Sequence, residues 1–251
     1  MPFINKVVLV VGGSSGIGAA TAIKLCGEGA RVAIVGRNKS KLKVVENQCE
    51  GILVINADVR HDEDIKKIVD TTVNHFGKLD VLINSVGVAC FASITAENAM
   101  EEFDKTMAVN LRAAVYLSHL AIPHLIKTKG NIVNISSVAS TAVFFENHFA
   151  YCTSKAGLDH FTRSIALELA PKGVRINIII PGPVKTDYIN GLISDIKEHE
   201  KFYKMLENRT ALGKQSEANE IADLILYIAS EKARSITGSS FVIDNGMLLK
   251  G

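Results

Sequence analysis

Tyr151 and Lys155 stand four residues apart in YCTSKAGLDHFTRSIALELA, a stretch with the apolar spacing of an amphipathic helix. At i and i+4 they share one helix face. A free phenol titrates at about 10 and a free ammonium at about 10.4, so neither is a ready acid or base at neutral pH. A fixed ammonium close to the phenol favours tyrosinate and lowers its pKa. The pair can therefore act as a general acid/base. By itself the YxxxK spacing is common by chance, but other polar groups accompany it. NISSV puts Ser136 and Ser137 at the end of an apolar run, and VNL puts Asn110 in the helical segment before it.

A second candidate lies near the start of the chain. The first apolar run ends in VGGSSGIGAA, where Gly12, Gly13, Gly16 and Gly18 open a helix. Such a turn lets backbone approach a pyrophosphate and aims the helix N-terminus at its charge. The spacing is GxxxGxG rather than GxGxxG, and a tight βα turn with glycines for packing is the plain alternative. About twenty residues on, an acid would be expected if a ribose 2′-hydroxyl is held. That place reads VGRNKSK, with Gly36 and Arg37 where the acid would stand. A guanidinium can hold a 2′-phosphate bidentately. Lys39 and Lys41 add positive charge, and Ser14 and Asn38 offer neutral donors. NADP(H) is favoured and NAD(H) stays possible; a merely solvated Arg37 is the alternative.

The elements that must position these groups are short β-branched runs alternating with helical patterns. Strands are expected within 6–12, 30–36, 51–59, 79–87, 130–137, 175–182 and 239–246. Several are apolar throughout, as in a parallel sheet covered on both faces. Helices are expected at 17–29 and 62–77, with Gly29, Gly77, Gly130 and Gly173 closing helices before the next strand. This is βαβ repeated from end to end, an α/β doubly wound parallel sheet of Rossmann type with seven strands, in a single domain 1–251. The polar stretch 187–216 interrupts it. Part of it reads as a solvated helix with Ile196, Phe202 and Met205 apolar, a candidate substrate lid. TAVFFENHF, with Phe144, Phe145 and Phe149, reads equally as pocket wall or core.

Composition narrows the classes of function. With 251 residues, 47% hydrophobic and 22% charged, the chain can bury a large core without disulfide or metal staples. A net charge of +2, with basic residues spread out, gives no argument for nucleic acid or a membrane surface. No run is long enough to span a bilayer, and no signal peptide precedes the first strand, which points to the cytoplasm. Cys26, Cys49, Cys90 and Cys152 lack metal or disulfide spacing and read as reduced thiols. Cys90 and Cys152 read as buried structural thiols or as neighbours of the active-site mouth. The sequons at Asn38, Asn134 and Asn208 read as chance. Seven histidines, His119 and His124 among them, show no metal-ligand spacing, so no metal is expected.

Taken in order, these motifs resemble the short-chain dehydrogenase/reductase family over Val7 to Gly246. They are GGSSGIG, ADV (57–59), NSVG (84–87), Asn110, NISS, YCTSK, PGPVKT (181–186) and ITGSSFVIDNG. Within the family the chain is similar to NADPH-preferring, 3-oxoacyl-carrier-protein-reductase-like members. The resemblance implies that Tyr151 exchanges a proton with a carbonyl or alcohol oxygen, and that Lys155 holds the nicotinamide ribose and lowers the tyrosine pKa. Ser137 would hydrogen-bond the substrate oxygen, and Asn110 would hold a water in a proton relay. For the cofactor it implies Gly12, Ser14, Ser15, Gly16, Ile17 and Gly18 at the phosphates, with Arg37 and Asn38 beyond them. Asp58 and Val59 would meet the adenine and Asn84 and Gly87 the ribose, while Pro181, Gly182, Val184 and Thr186 would seat the nicotinamide. A homo-oligomer, tetramer or dimer, is implied too.

Some positions depart from the family pattern. Val11 replaces a threonine, Ser85 and Val86 replace Asn and Ala, and Asn245 stands where glycine is usual. The expected consequences are an altered stitch between strands and a weaker grip on the cofactor. The reading that emerges is an NADP(H)-dependent carbonyl reductase for an apolar small molecule of lipid, sterol or isoprenoid type. The alternative is a catalytically silent dinucleotide-binding sensor or scaffold.

Overall fold

The computed structural model describes residues 3–89, 91–186 and 196–250. Residues 187–195 of the expected lid and Cys90 lie outside the described residues. The strands are β1 (Val7–Val11), β2 (Arg31–Gly36), β3 (Leu53–Asn56), β4 (Val81–Asn84), β5 (Asn131–Ile135), β6 (Arg175–Pro181), β7 (Val184–Lys185), β8 (Ser216–Glu217) and β9 (Ser240–Ile243). The helices are α1 (Gly16–Gly27), α2 (Lys39–Glu46), α3 (Asp62–Phe76), α4 (Ala99–Met107), α5 (Ala113–Thr128), α6 (Phe149–Leu169), α7 (Ile196–Asn208), α8 (Ala218–Ala229) and α9 (Met247–Lys250).

Seven strands form one parallel sheet in the order β3-β2-β1-β4-β5-β6-β9. β1 and β5 are buried at every position, as expected of strands covered on both faces. Alternation along the strands separates two layers. Leu9, Leu82, Ile132 and Ile176 pack with Ile65 of α3, Ala113 of α5 and Ala166 of α6. Val8, Val10, Ile83 and Val133 pack with Leu25 of α1, Leu42 of α2 and Ile225 of α8. Strand order reverses between β1 and β4, and the crevice beyond their carboxyl ends is where such sheets take ligands.

The apolar runs overstate the strands. The run 51–59 yields only Leu53–Asn56, because the chain then turns: the Asp58 amide donates to Asp64 Oδ2 at 2.7 Å, at the start of α3. The short pair β7 and β8 has no sequence signal of its own; it ties the chain after β6 to the start of α8. Gly29, Gly77 and Gly173 take positive φ as expected, but at the end of α5 Lys129 (φ 49°) takes the left-handed turn instead of Gly130. Gly130 answers a different need, close approach: a Cβ there would lie 2.2 Å from the Asp80 carbonyl oxygen. Asn245 (φ 52°) also adopts the left-handed turn, which asparagine tolerates, and its Nδ2 donates to Ser216 Oγ at 2.9 Å. No helix among the described residues is long and apolar enough to cross a membrane.

Candidate active site

α6 starts beside the end of β5, and its first two turns carry the pair. Tyr151 and Lys155 are both buried. Lys155 Nζ donates to the Ile135 carbonyl at 2.9 Å and lies 5.8 Å from the Tyr151 ring centroid. Burial pushes the Lys155 ammonium down to about 8, and the Asp159 carboxylate one turn later pulls it upward. Burial also raises Asp159 itself, against the Ser136 and Ser140 hydroxyls and the charges of Arg163 and Lys155. Ser137 caps a short 3-10 turn at the end of β5, its Oγ accepting from the Ala139 amide at 3.2 Å.

Asn110 lies in a five-residue π-helix, Ala108–Arg112, between α4 and α5. Its Oδ1 accepts from the Val88 amide at 2.8 Å. Its Nδ2 donates to the Val88 carbonyl at 2.9 Å and to Ser154 Oγ at 3.0 Å. The side chain therefore clamps the loop after β4 to α6. With both side-chain atoms engaged, a water-holding role would fall to its backbone.

Ser137, Tyr151 and Lys155 share one cavity of about 650 Å³. The glycine turn contributes Gly12, Ser14, Ser15, Gly16 and Ile17, and the ends of β2 and β3 contribute Arg37, Asp58 and Val59. Gly87, Ser137, Tyr151 and Lys155 line its middle, and the stretch after β6 brings Pro181, Gly182, Val184 and Thr186. Asp58 is held below the usual carboxylate range chiefly by its hydrogen bond from Arg60, and Arg37 Nη1 stands 3.9 Å from it. Asn56 Nδ2 donates to the Gly36 and Arg37 carbonyls, each at 3.0 Å, which fixes the backbone that presents Arg37.

Four of the expected residues are not on the wall. Gly18 is inside α1, where a Cβ would sit 2.1 Å from the Gly12 carbonyl oxygen; it shapes the turn from behind. Asn38 caps α2, its Oδ1 accepting from the Lys41 amide at 3.0 Å. Asn110 is the clamp described above. Asn84 is buried and donates to Asn134 Oδ1 at 2.8 Å, while Asn134 donates to Thr162 Oγ1 at 2.9 Å. This chain stitches β4 to β5 and α6. Asn84 Oδ1 has no partner among the described residues, and the residue in register with it on β1 is Val11, which has no hydroxyl to offer.

Phe144 and Phe145 line the cavity, whereas Phe149 stacks on Phe103 of α4, so the phenylalanine cluster divides between wall and core. Cys152 is half-buried and off the wall, its thiol pushed up by burial. The cavity also takes His148, Phe91, Phe202 and Leu206 of α7, and Met247 of α9. His148 stands three residues before Tyr151 but outside α6, and like the others it arrives through tertiary folding.

With this geometry in view, the comparisons with known proteins give one answer. Residues 11–248 match the family model described as Enoyl-(Acyl carrier protein) reductase. Meso-2,3-butanediol dehydrogenase of Serratia marcescens is 33% identical over 98% of this chain and 96% of its own. D-erythrulose reductase of Gallus gallus is 34% identical over 99% and 98%. A Caenorhabditis elegans short-chain dehydrogenase/reductase of unknown function, solved with cofactor, superposes with a TM-score of 0.94 at 32% identity, covering 100% of this chain and 98% of that one. The chain belongs to the short-chain dehydrogenase/reductase family. That makes it an oxidoreductase of the alcohol/carbonyl class, with a nicotinamide dinucleotide as the implied cofactor.

Proposed function

We propose that this protein is an NADP(H)-dependent carbonyl reductase acting in the cytoplasm on an apolar or amphipathic ketone. The observation that carries the reading is one cavity that joins the glycine turn and Arg37 to Ser137, Tyr151 and buried Lys155. The residues present fit a dinucleotide. The turn offers the cavity two glycines and the hydroxyls of Ser14 and Ser15, and the helix α1 starts from it. Cations stand at both ends, Lys155 buried and Arg37 with a 60% exposed side chain.

When bound, the nicotinamide supplies or accepts the hydride. This chain's residues do the rest. Tyr151 gives its phenolic proton to the substrate oxygen in reduction and takes it back in oxidation. Lys155 hydrogen-bonds the nicotinamide ribose and stabilises the tyrosinate left behind. Ser137 Oγ orients the substrate oxygen, and Asn110 holds the loop that carries Gly87 and Val88. Phe144, Phe145, Phe202 and Leu206 support the preference for an apolar body, and α7, which contributes the last two, is the proposed substrate lid.

Arg37→Ala tests the cofactor choice. The NADPH dissociation constant is expected to rise about 10- to 100-fold by fluorescence titration, the loss of a charge-assisted contact, with NADH little changed. Equal effects on both would remove Arg37 from the 2′-phosphate site.

Lys155 predicts the pH dependence. Its ammonium is present below about pH 8 and lost above it. The dinucleotide should therefore bind progressively more weakly as pH rises through that value. In Asp159→Asn the weakening should begin at lower pH, because the carboxylate that raises the lysine's pKa is gone. A titration flat from about pH 7 to 9.5 would show that another group holds the ribose.

A homo-oligomer, tetramer or dimer, is part of the same proposal. Tyr227 of α8, Val242 of edge strand β9 and Leu249 of α9 support it, being exposed apolar groups near the C-terminal edge.

A further inference from the structure

Lys155, Asp159 and Thr162 stand at i, i+4 and i+7 of α6, so they share the face that meets the end of β5, and all three are buried. Lys155 Nζ donates to the Ile135 carbonyl at 2.9 Å, and Thr162 Oγ1 accepts from Asn134 Nδ2 at 2.9 Å. The Ser136 hydroxyl returns a contact, donating to the Lys155 carbonyl at 3.5 Å. Asp159 is the member of this seam whose carboxylate the reaction itself does not need. It is 4% exposed. The Ser136 and Ser140 hydroxyls act on it, and Arg163 and Lys155 are the charges around it. Among the described residues, Asp159 Oδ1 and Ser140 Oγ are sealed from water with no hydrogen bond closed on either.

A carboxylate is a costly group to enclose, tolerated where it is paired and hydrogen-bonded. An apolar side chain would fill the space without that penalty, as Leu158 does one position earlier. Buried polar atoms are nearly always satisfied, so an acceptor and a hydroxyl left open in one dry seam call for a reason. The reason lies in what stands between the two serines. Ser136 follows β5, its amide donating to the Ile179 carbonyl at 2.8 Å, and Ser140 ends the short turn Val138–Ser140. Between them is Ser137, whose Oγ is tied within that turn by the Ala139 amide at 3.2 Å.

We propose that Asp159 is a positioning residue for Ser137: its carboxylate grips the hydroxyls on either side of that serine and fixes its Oγ relative to the phenol of Tyr151. One helix then sets both groups that meet the substrate oxygen. The inference rests on the reductase reading above, in which Ser137 orients that oxygen, and adds the group that places the serine. Two carboxylate oxygens can take two hydroxyls at once. An asparagine can do the same with its amide oxygen and nitrogen, and a leucine cannot.

The test uses acetophenone and NADPH as probes at pH 6, where Lys155, pushed down to about 8, keeps its ammonium. Asp159→Leu is expected to lower kcat about 10- to 100-fold, the worth of hydrogen bonds to a charged group, with the NADPH dissociation constant within about twofold of wild type. Asp159→Asn should bring kcat back to within about threefold of wild type. A double-mutant cycle decides whether the effect runs through the serine. On a Ser137→Ala background, Asp159→Leu should cost less than about twofold, because the group it places is gone. Equal losses on both backgrounds, or a loss that asparagine does not recover, overturn the proposal. If Asp159→Leu does not fold, Ser140→Ala carries the same cycle with an expected loss of about 3- to 10-fold.

A second arm needs no turnover. Hydrogen exchange of the Ala139 amide, which donates to Ser137 Oγ, is followed by NMR. It should quicken about tenfold in Asp159→Leu or Ser140→Ala and return to the wild-type rate in Asp159→Asn. The Ser136 amide, held by the Ile179 carbonyl, is the control and should not change. Exchange of Ala139 that stays at the wild-type rate in every variant overturns the proposal. If wild type does not reduce acetophenone but Ala139 responds, the reductase reading loses its support and the grip on the turn stands. If wild type reduces acetophenone while neither the cycle nor the exchange responds, the reverse holds.

Discussion

Replacing Tyr151 by phenylalanine is expected to lower kcat for ketone reduction by about 10²- to 10⁴-fold, the usual worth of a positioned general acid. The dinucleotide dissociation constant should barely move. The phenyl ring keeps the stack on His148 and the face towards Lys155, so the cavity retains its shape. The deleted atom is the one that would hold the proton. Stopped-flow reduction and equilibrium titration on the same preparation separate the two quantities. A variant that keeps most of its kcat would move the acid role to another group. One that loses cofactor binding would show that the phenol is structural.

The largest expected effect on stability comes from a position remote from the chemistry. Gly130→Ala should destabilise the fold by about 3 kcal/mol or more, lowering Tm by about 6–12 °C in a domain of this size. The added methyl would lie 2.2 Å from the Asp80 carbonyl oxygen, and that oxygen accepts the Asn131 amide at the start of β5. The backbone must therefore move, and with it the β4–β5 pairing that leads up to Asn84 and Asn134. Gly77→Ala is the control. Its φ of 80° is left-handed but nothing lies within 4 Å, so only the backbone term of about 1–2 kcal/mol applies. Calorimetry showing equal losses for both would remove close approach as the reason for Gly130.

The two glycines also show where sequence reading stops. Both look alike as helix terminators. Only the neighbouring strand reveals that Lys129 makes the turn and that Gly130 makes room. The strands were legible because parallel strands buried on both faces read as unbroken apolar runs, VVLVV above all. The glycine turn and the shared helix face of Tyr151 and Lys155 were legible because their spacing is local. Asn110 was legible as a residue but not as a clamp, since its partner Val88 lies 22 positions away across the fold. Asn38 and Asn84 were assigned to the cofactor from motif position; neither lines the cavity, and their side chains make a helix cap and a strand stitch. The end of the cavity proposed for the substrate was least legible. Leu206 and Met247 reach it from late segments, and no periodicity in either announces a destination.

The buried ammonium of Lys155 has a consequence for how such a chain drifts. Its folded-state pKa of about 8 lies below the ordinary lysine value. The penalty is thus present in full below that pH and fades only as the folded chain sheds the proton on the way to about 10.4. At neutral pH it amounts to roughly 3 kcal/mol, a sizeable part of a domain's net stability. A substitution here that fills the same space and leaves the Ile135 carbonyl paired would remove that penalty together with the ammonium. On the proposed reading, turnover is what the penalty serves. Where that need relaxes, the descendants to expect are sturdier proteins that hold a dinucleotide more weakly and no longer react.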